Sequence, residues 1–411
     1  MRAQLQTSGF RRADEICKRS ACAHECALGV IRNVKRTKSL CVFFCIVAIC
    51  GCHRESGGSP GTSREFGYVA NAINPGRLSE FTIDPRTGAW TQIPGSPFVE
   101  GADEPNSIAA APSGKFLYVL NRGEEDVSVL SIDSATGSLT AVGAAVRVPI
   151  NPQSLAMHPA GTFLYATNDL QPGTVSALRI DGANGTLSLV PGSPFETGAG
   201  VPDSVAVTPS GKFVYVTSSP PSIVSGYSVN AATGALTPIA GSPFAAGMGA
   251  KNLSVSPAGK FLYVSDSYGG TILAYSINET SGALATVAGS PFPAGSHPAA
   301  LALDPRGNFL YAINETTLGT ISAFKVDQNN GALAGVPGSP FSTVHAASAI
   351  TIDPMGKFLV ATVKLEDDGK LESFKIDSAT GALKQIDGSP FGAGSDPAAV
   401  IIVQSKWDAS R

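Results

Sequence analysis

The sequence predicts an all-β fold, a seven-bladed β-propeller with four antiparallel strands in each blade. Three observations lead to this prediction. A tetrapeptide recurs every 48–50 residues, the segments between its copies have the pattern of short strands, and the two chain ends are complementary parts of one repeat. We expect the propeller to occupy residues 65–405 of the 411-residue chain.

Three short motifs share this period. Gly-Ser-Pro-Phe occurs six times, and the degenerate Gly-Ala-Ala-Val at Gly143 fills the slot that would otherwise be empty. A Pro-x-Gly-x-Phe motif and an Asp or Asn placed four residues before a Gly recur in step with it. Because Pro fixes φ and Gly permits positive φ, the last two motifs predict tight turns. The six complete tetrapeptides begin at Gly95, Gly192, Gly241, Gly289, Gly338 and Gly388.

The unit at 202–244 illustrates the strands that we predict. SVAVTP is a short apolar run suited to a buried inner strand. KFVYVTS and IVSGYSVN alternate and carry aromatic and β-branched residues, and ALTPIAGSPF closes the unit. We expect Gly-Ser-Pro-Phe to end each outer strand, where a proline costs no ladder hydrogen bond.

The chain ends distinguish a closed ring from an open solenoid. The repeats begin at Phe66 with a second strand, FGYVAN, and end with a first strand, AAVIIVQ, at 398–404. Together these segments complete a seventh blade, which leaves no sheet edge exposed. A solenoid, the alternative repeat architecture, would need atypical capping repeats at its ends.

Composition and charge exclude several classes of protein. Gly and Pro supply 74 of the 411 residues and 43% of the chain is hydrophobic, which fits neither low-complexity disorder nor a coiled coil. Beyond residue 52 the chain has 20 basic and 29 acidic residues with no basic run, so we predict no nucleic-acid partner. All seven cysteines lie within the first 52 residues, which excludes a disulfide framework in the propeller.

Residues 1–52 are predicted to be a leader with a lipoprotein-type signal peptide. Basic residues between Arg32 and Lys38 precede an apolar run of about ten residues, too short to span a bilayer. The run ends in Ile-Cys-Gly-Cys, which resembles a bacterial lipoprotein box with Cys52 as the lipidated residue. An ordinary cleaved signal without lipid is the alternative.

This leader predicts an exported protein, anchored through Cys52 in the cell envelope and facing the periplasm or the cell surface. Residues 53–64 are expected to be a flexible tether, and 406–411 a short tail. We expect the membrane to be contacted only through the lipid anchor, and the protein to be a monomer.

The second strands carry a family resemblance. Lys212-Phe-Val-Tyr-Val-Thr, Lys260-Phe-Leu-Tyr-Val-Ser and Asn308-Phe-Leu-Tyr-Ala-Ile-Asn-Glu resemble the lactonase-type seven-bladed propellers. That family includes 6-phosphogluconolactonase and the carboxymuconate cycloisomerases, and it is similar to the YVTN-repeat surface propellers. The resemblance extends over 65–405 and implies the propeller fold and hydrolysis of a lactone.

The resemblance also implies where catalytic residues would stand. The family's lactone chemistry uses an Arg-His pair after a Pro that starts an inner strand, and a Glu that follows an Asn after the second strand. Asn314-Glu315 matches the second element, with Asn168-Asp169 as a shorter version, so Glu315 is the predicted catalytic residue. None of the seven entry slots of the inner strands holds Arg-His, which departs from the family pattern and predicts a degenerate site.

The first residue in each entry slot belongs to a predicted ring around the channel mouth. Four consecutive repeats supply polar side chains and the other three supply small ones, an asymmetry that predicts a ligand pocket on the polar side. Solvated rim positions without a ligand are the alternative. The polar arc is Asn106, Gln153, Asp203 and Lys251, and the small arc is Ala299, Ser348 and Ala398.

Asp169 and His297 lie on loops of the same face and complete the predicted ligand-binding set. Acidic loops on this face could hold Ca²⁺, but they lack the Asp-x-Asp-x-Asp-Gly pattern, and solvated surface charge is the preferred interpretation. No third ligand accompanies the histidine. We therefore predict no metal and no cofactor.

Two functions remain open at this point. The first is a hydrolase acting on a sugar lactone or a similar small molecule, with Glu315 and the polar arc in its site. The second is a non-catalytic envelope propeller that binds a glycan or a protein, which the leader and the missing Arg-His pair favour.

Overall fold

The computed structural model describes residues 64–99, 103–169, 171–198, 200–316, 318–365 and 368–405. These residues form 35 strands arranged in seven sheets. The leader with Cys52, nearly all of the predicted tether, and the tail lie outside the described residues. Within the ranges given above, no helix is long and apolar enough to cross a membrane.

Each sheet is one blade, and we number the blades along the chain. Blade 1 contains β1 (Arg64–Asn71), β2 (Arg77–Ile83), β3 (Trp90–Gln92) and β4 (Phe98–Val99), together with β35 (Pro397–Ser405). Blade 2 contains β5 (Pro105–Ala110), β6 (Phe116–Asn121), β7 (Asp126–Ile132), β8 (Leu139–Ala141) and β9 (Val146–Arg147). Blade 3 contains β10 (Pro152–Met157), β11 (Phe163–Asn168), β12 (Thr174–Ile180), β13 (Leu187–Leu189) and β14 (Phe195–Glu196).

The remaining blades repeat this plan. Blade 4 contains β15 (Val201–Val207), β16 (Phe213–Ser219), β17 (Ile223–Val229), β18 (Leu236–Pro238) and β19 (Phe244–Ala245). Blade 5 contains β20 (Ala250–Val255), β21 (Phe261–Asp266), β22 (Thr271–Ile277), β23 (Leu284–Thr286) and β24 (Phe292–Pro293). Blade 6 contains β25 (Pro298–Leu303), β26 (Phe309–Asn314), β27 (Thr320–Val326), β28 (Leu333–Gly335) and β29 (Phe341–Ser342). Blade 7 contains β30 (Ala347–Ile352), β31 (Phe358–Val363), β32 (Gly369–Ile376), β33 (Leu383–Gln385) and β34 (Phe391–Gly394).

The two ends of the folded region close the ring, as predicted. In blade 1 the C-terminal strand β35 is the inner strand and pairs antiparallel with β1, from Arg64 opposite Ser405 to Asn71 opposite Pro397. The seven-bladed all-β prediction is therefore confirmed. Closure pairs both edges of the blade that would otherwise be open and holds both chain ends in place.

The outer strand differs from the prediction. Gly-Ser-Pro-Phe does not end it but interrupts it, so each blade has two short outer pieces that both pair with the third strand, as β18 and β19 pair with β17. The proline, which has no N–H, stands in the gap, and the phenylalanine begins the second piece. The serine hydroxyl accepts the third-strand N–H left free at the gap, at 2.9–3.0 Å in all six copies.

The core lies between blades. Each of seven apolar clusters contains side chains from two neighbouring blades. At six interfaces a buried tyrosine donates its hydroxyl proton to a glycine carbonyl of the next blade, as Tyr215 does to Gly282 at 2.6 Å. Gly282 has φ +74°, and a Cβ there would lie 2.5 Å from Phe213, so this turn requires glycine. Val360 replaces the tyrosine at the seventh interface.

The strand directions define two faces. Inner strands begin, and second strands end, at the face that we call the mouth face, as the pairing of Pro298 with Asn314 shows. The Pro-x-Gly turns and the turns between third and fourth strands lie at the opposite end, which we call the turn face. Candidate residues for chemistry were predicted on the mouth face.

Candidate functional site

A cavity of about 300 Å³ opens on the mouth face, at the centre of the ring. Its wall contains the predicted ring residue of all seven blades, together with Glu315 from the loop after β26. The polar arc and the small arc face each other across this space. The polar arc supplies Asn106, Gln153, Asp203 and Lys251, and the small arc Ala299, Ser348 and Ala398.

A β-bulge in each inner strand places the ring residue in the wall. In blade 4, Pro202 pairs with Ser218 and Ser204 with Thr217, which leaves Asp203 unpaired between them. The same shift leaves Asn106 unpaired in blade 2. Bulges bend a strand and redirect a side chain, so the ring residues point into the mouth instead of into a blade interface.

Lys251 and Glu315 form an ion pair across two blades. The Lys251 Nζ lies 3.0 Å from the Glu315 Oε2, and the two side chains are 43% and 38% exposed. The backbone N–H of Glu315 donates to the His297 carbonyl at 3.0 Å, which ties the loop carrying the carboxylate to the entry of β25. A lysine has three donors, so Lys251 keeps hydrogen-bonding capacity for a ligand.

Asp203 is the second carboxylate in the wall. Burial raises the pKa of Asp203 to about 6; the Lys251 ammonium opposes this rise and the Asp169 carboxylate adds to it. No residue in the described ranges donates a hydrogen bond to this carboxylate. Asp203 is therefore a carboxyl group whose protonation changes close to neutral pH, a property of general acids and bases.

The structure separates the predicted site residues into two groups. Five of them, namely Asn106, Gln153, Asp203, Lys251 and Glu315, line one cavity. Asp169 does not line it; its carboxylate accepts the Asn151 side-chain N–H at 2.6 Å and acts on Asp203 only through its charge. The His297 imidazole is exposed outside the cavity, and only its backbone carbonyl is used, with φ +53°.

A second layer of wall residues was missed by the sequence analysis. The next residue of each inner strand also lines the cavity, and it repeats the asymmetry of the ring: Ser or Asn in blades 2 to 5, Ala elsewhere. The most connected is Asn252, which donates to Ser204 Oγ at 3.3 Å and accepts the Leu301 N–H at 3.1 Å. The signal was present, since these residues directly follow the ring positions in the sequence. The second layer consists of Ser107, Ser154, Ser204, Asn252, Ala300, Ala349 and Ala399.

No metal site was identified in the part of the chain that the structure describes, where no three His, Cys, Asp or Glu side chains come together. The described lining of the mouth supplies two carboxylates, one ammonium group and several amides and hydroxyls. A carboxylate can take a proton from water, and an ammonium group can stabilise an oxyanion.

Comparisons with known proteins agree with this architecture. The model of the lactonase family, a seven-bladed β-propeller, matches residues 63–201, 155–247 and 205–340. A 6-phosphogluconolactonase of Formosa agariphila is 34% identical over 86 residues, which are 20% of this chain and 24% of that protein. The chain thus matches about a quarter of the length of this curated relative.

Solved structures show the same fold. The periplasmic gluconolactonase of Pseudomonas aeruginosa superposes with a TM-score of 0.68 at 20% identity, covering 83% of this chain and 99% of that one. A Bacteroides uniformis protein provisionally named 6-phosphogluconolactonase gives a TM-score of 0.71 at 20% identity, with coverage of 83% and 99%. Fold, repeats and family match together show that the chain belongs to the lactonase family of seven-bladed β-propellers.

Proposed function

We propose that the mouth cavity hydrolyses a sugar lactone or a related small lactone. The observation that carries the proposal is the convergence of Lys251, Glu315 and Asp203 on one cavity, although they come from three different blades. The family's Arg-His pair is missing, but Lys251 brings a cation to the same mouth. The site is then a variant of the family's site, with other residues in the catalytic roles.

Each of these three groups has a role in the proposed reaction. Asp203 in its ionised form takes a proton from a water molecule, which attacks the lactone carbonyl carbon. Lys251 stabilises the oxyanion that forms, while Glu315 holds the ammonium group in place through their 3.0 Å contact. The ring C–O bond then breaks, and the proton on Asp203 passes to the leaving oxygen, giving a hydroxy acid.

The charge of the wall favours a lactone without a phosphate group. Lys251 is the one cation among the described wall residues, and it is already paired with Glu315. Asp203 adds a further negative charge when ionised. A phosphate dianion would meet net repulsion here, whereas hydroxyl groups of a neutral sugar can bond to the amides of Asn106, Gln153 and Asn252.

We further propose that the protein is exported and anchored by a lipid on Cys52, so that it meets its substrate in the cell envelope. The basic stretch, the short apolar run and the Ile-Cys-Gly-Cys ending support this. The fold similarity to a periplasmic gluconolactonase supports both the location and an unphosphorylated lactone as substrate. Palmitate labelling of cells that express the full chain tests the anchor. We expect label on the protein and no label on the Cys52→Ser variant. An unlabelled protein would contradict the lipid anchor and leave an ordinary cleaved signal peptide as the interpretation of the leader.

The decisive activity experiment compares purified full-length variants on δ- and γ-lactones with and without a phosphate group. We expect turnover of unphosphorylated lactones, and a fall of about 10²–10⁴-fold in kcat/KM for Asp203→Asn, the range of general acid–base catalysis. Glu315→Gln should lower the rate less if it only positions Lys251, and equally if it is itself the base. Glu279→Gln, an exposed carboxylate on the turn face, serves as the control. Turnover that Asp203→Asn and Glu315→Gln both leave unchanged would refute the mechanism.

The alternative is a non-catalytic propeller that binds a neutral glycan at the same mouth. The two layers of amides and hydroxyls in blades 2 to 5, opposite a wall of small residues, favour this as the second function. Saturable binding of oligosaccharides without turnover of any lactone would support it over hydrolysis. Gln153→Ala should then weaken binding, while Ser113→Ala on the turn face should not.

A further inference from the structure

The turn face holds a second cavity, of about 440 Å³, at the junction of blades 6, 7 and 1. Its wall contains four cationic side chains and no acidic one among the described residues. The floor is apolar and includes Pro85, Met355, Phe358 and Ile376. We call this cavity the basic groove, and its cations are Arg86, Arg306, Lys357 and Lys375.

Two of the four cations, Arg86 and Arg306, depart from the repeat, and the other two stand at positions where some other repeats also have a cation. The four come from four different repeat positions: Arg86 from the turn after β2, Arg306 and Lys357 from two Pro-x-Gly turns, and Lys375 from the end of β32. Arginine occupies the Arg306 position in no other repeat, where Ser, Ala or Met stands instead. The Lys357 position also holds lysine in three other repeats, and the Lys375 position holds Lys325 and Arg179 in two others. The two arginines that depart from the repeat join these two lysines in one groove of an acidic protein, and the groove has no acidic side chain in its described wall, which indicates a site for an anion.

A comparable groove between blades 4 and 5 shows what the repeat produces without these departures. That cavity is about 150 Å³, and its single cation, Lys212, shares the wall with Glu279. Lys212 occupies the same repeat position as Lys357, and Glu279 the same position as Pro85. The carboxylate that balances the lysine in one groove is thus missing from the other.

The described carboxylates near the basic groove make no ion pair with Arg306, Lys357 or Lys375. Asp84 pairs with Arg86 at 3.3 Å. Asp353 is buried beneath the turn and accepts the backbone N–H groups of Met355, Lys357 and Phe358. Glu65 is buried; burial and the Asp353 carboxylate raise its pKa, and the Lys357 ammonium lowers it. Asp377 accepts the backbone N–H groups of Ala379 and Thr380, and it acts on Lys375 only through its charge. Among the described residues, no carboxylate lies within ion-pair distance of Arg306, Lys357 or Lys375, so three cations remain for a ligand.

Lys375 carries an additional indication of unbalanced charge. It lies directly opposite Lys384 in the pairing of β32 with β33. Like charges at such a position destabilise a sheet, and a bound anion would remove that cost. The volume falls within the usual range for small-molecule sites and exceeds what one inorganic phosphate needs.

We propose that the basic groove binds a small organic ester of phosphate or sulfate, whose oxyanion contacts Arg306, Lys357 and Lys375 and whose body lies on the apolar floor. Tetrahedral oxyanions accept several charge-assisted hydrogen bonds at once, which matches three cations that converge from blades 6 and 7. This site is separate from the mouth cavity and independent of lactone hydrolysis. It faces the opposite end of the propeller.

Titration calorimetry of the full-length protein at low salt tests the proposal, with phenyl phosphate, phenyl sulfate, inorganic phosphate and phenol as probes. We expect saturable binding of one or both esters, more tightly than inorganic phosphate or phenol, and weakening as NaCl screens the charges. The tighter of the two esters identifies the oxyanion. Phenol binding as well as both esters, or no saturable binding of either ester, would overturn the proposal.

Three variants locate the binding. Lys357→Gln/Lys375→Gln should weaken ester binding by at least about tenfold, since two charge-assisted hydrogen bonds are lost. Lys212→Gln/Lys260→Gln removes two lysines that occupy the repeat position of Lys357 in blades 4 and 5, and it should leave the affinity unchanged. Lys251→Gln removes the cation of the mouth: if it abolishes binding while the first pair of changes does not, the ester binds at the mouth and the basic groove is no anion site. Thermal unfolding of each variant checks that the fold is retained.

Discussion

Asp203 and Lys251 occupy equivalent positions in neighbouring repeats, yet they carry opposite charges into one cavity. The repeat supplies the β-bulge that directs both side chains into the mouth cavity, and only the residue type at the bulge differs between the two blades. A propeller can change its chemistry in this way without altering a blade, because the ring residues are excluded from strand pairing.

The pKa of Asp203 leads to a prediction about the pH dependence of lactone hydrolysis. If Asp203 is the base, its carboxyl must be ionised, so kcat/KM should rise with pH through about 6 and level off above. Asp169→Asn removes a carboxylate that raises the pKa of Asp203, so the rise should move to lower pH. The measurement is a pH–rate profile from pH 4.5 to 8. If Asp169→Asn leaves the pH–rate profile unchanged, the ionisation seen in the profile does not belong to Asp203.

The tyrosine hydroxyls between blades allow a prediction about stability. Tyr215→Phe removes the hydroxyl that donates to the Gly282 carbonyl and leaves that carbonyl without its partner, so the unfolding free energy should fall by about 1–3 kcal/mol. Tyr268→Phe is the matched control, because Tyr268 is 73% exposed and its loss should cost less than about 0.5 kcal/mol. Equal unfolding midpoints in urea for both variants would contradict this role of the hydroxyl.

The outer strand illustrates, at the scale of an element, what periodicity can and cannot predict. The four-strand pattern, the turns and the closure follow from spacing and residue type, because strand alternation and turn chemistry are local properties. The break at Gly-Ser-Pro-Phe depends instead on a serine hydroxyl reaching a strand 16 residues away, as Ser290 reaches Ala274. Sequence spacing alone gives no account of that contact.

The same distinction applies to the candidate site. The ring positions were predictable because they recur with the repeat, and five predicted residues line the cavity. The pairing of Lys251 with Glu315 was not, since the two lie 64 residues apart and meet only where neighbouring blades 5 and 6 pack side by side. His297 was predicted for its imidazole, whereas the fold uses its carbonyl, a group that every residue has.

The serine of the interrupted strand carries a prediction of its own. Ser290→Ala removes the acceptor of the Ala274 N–H, a group on a fully buried residue, so the unfolding free energy should fall by about 1–3 kcal/mol. Ser276→Ala, on the same strand β22, removes an exposed hydroxyl and should change stability by less than about 0.5 kcal/mol. Urea unfolding of both variants gives the comparison, and a smaller loss for Ser290→Ala than for Ser276→Ala would exclude the proposed role.

At the scale of the whole molecule, the cavities on the two faces differ in charge, although both faces are built from the same repeat. The mouth has two carboxylates around one cation, whereas the basic groove has four cations around an apolar floor. The full chain has a formal net charge of −3, so the groove is a local exception to the overall field. Separation of the two sites by the length of a blade allows two ligands of different charge to bind at the same time.

Buried carboxyl groups should make the stability of the whole propeller depend on pH. Burial raises the pKa of Glu65, Glu80 and Glu372 above the usual 4.5. The folded state then holds these protons more tightly than the unfolded chain does. Their contribution to stability is fully present below about pH 4.5 and is lost as the pH rises through the folded-state pKa values. The exposed Asp84 and Asp377 have lowered pKa values, and their contribution is lost only as the pH falls below the usual 3.8.

We therefore expect a higher urea midpoint at pH 5 than at pH 8. Glu372→Gln should reduce this difference, because the amide oxygen can still accept the Val344 N–H that bonds to Glu372 at 2.6 Å, while the ionisation is gone. Glu279→Gln, on the surface, should leave the difference as it is in the parent protein. A midpoint that is equal or higher at pH 8 would mean that other groups dominate the titration, and that these carboxyls are not the source of the pH dependence.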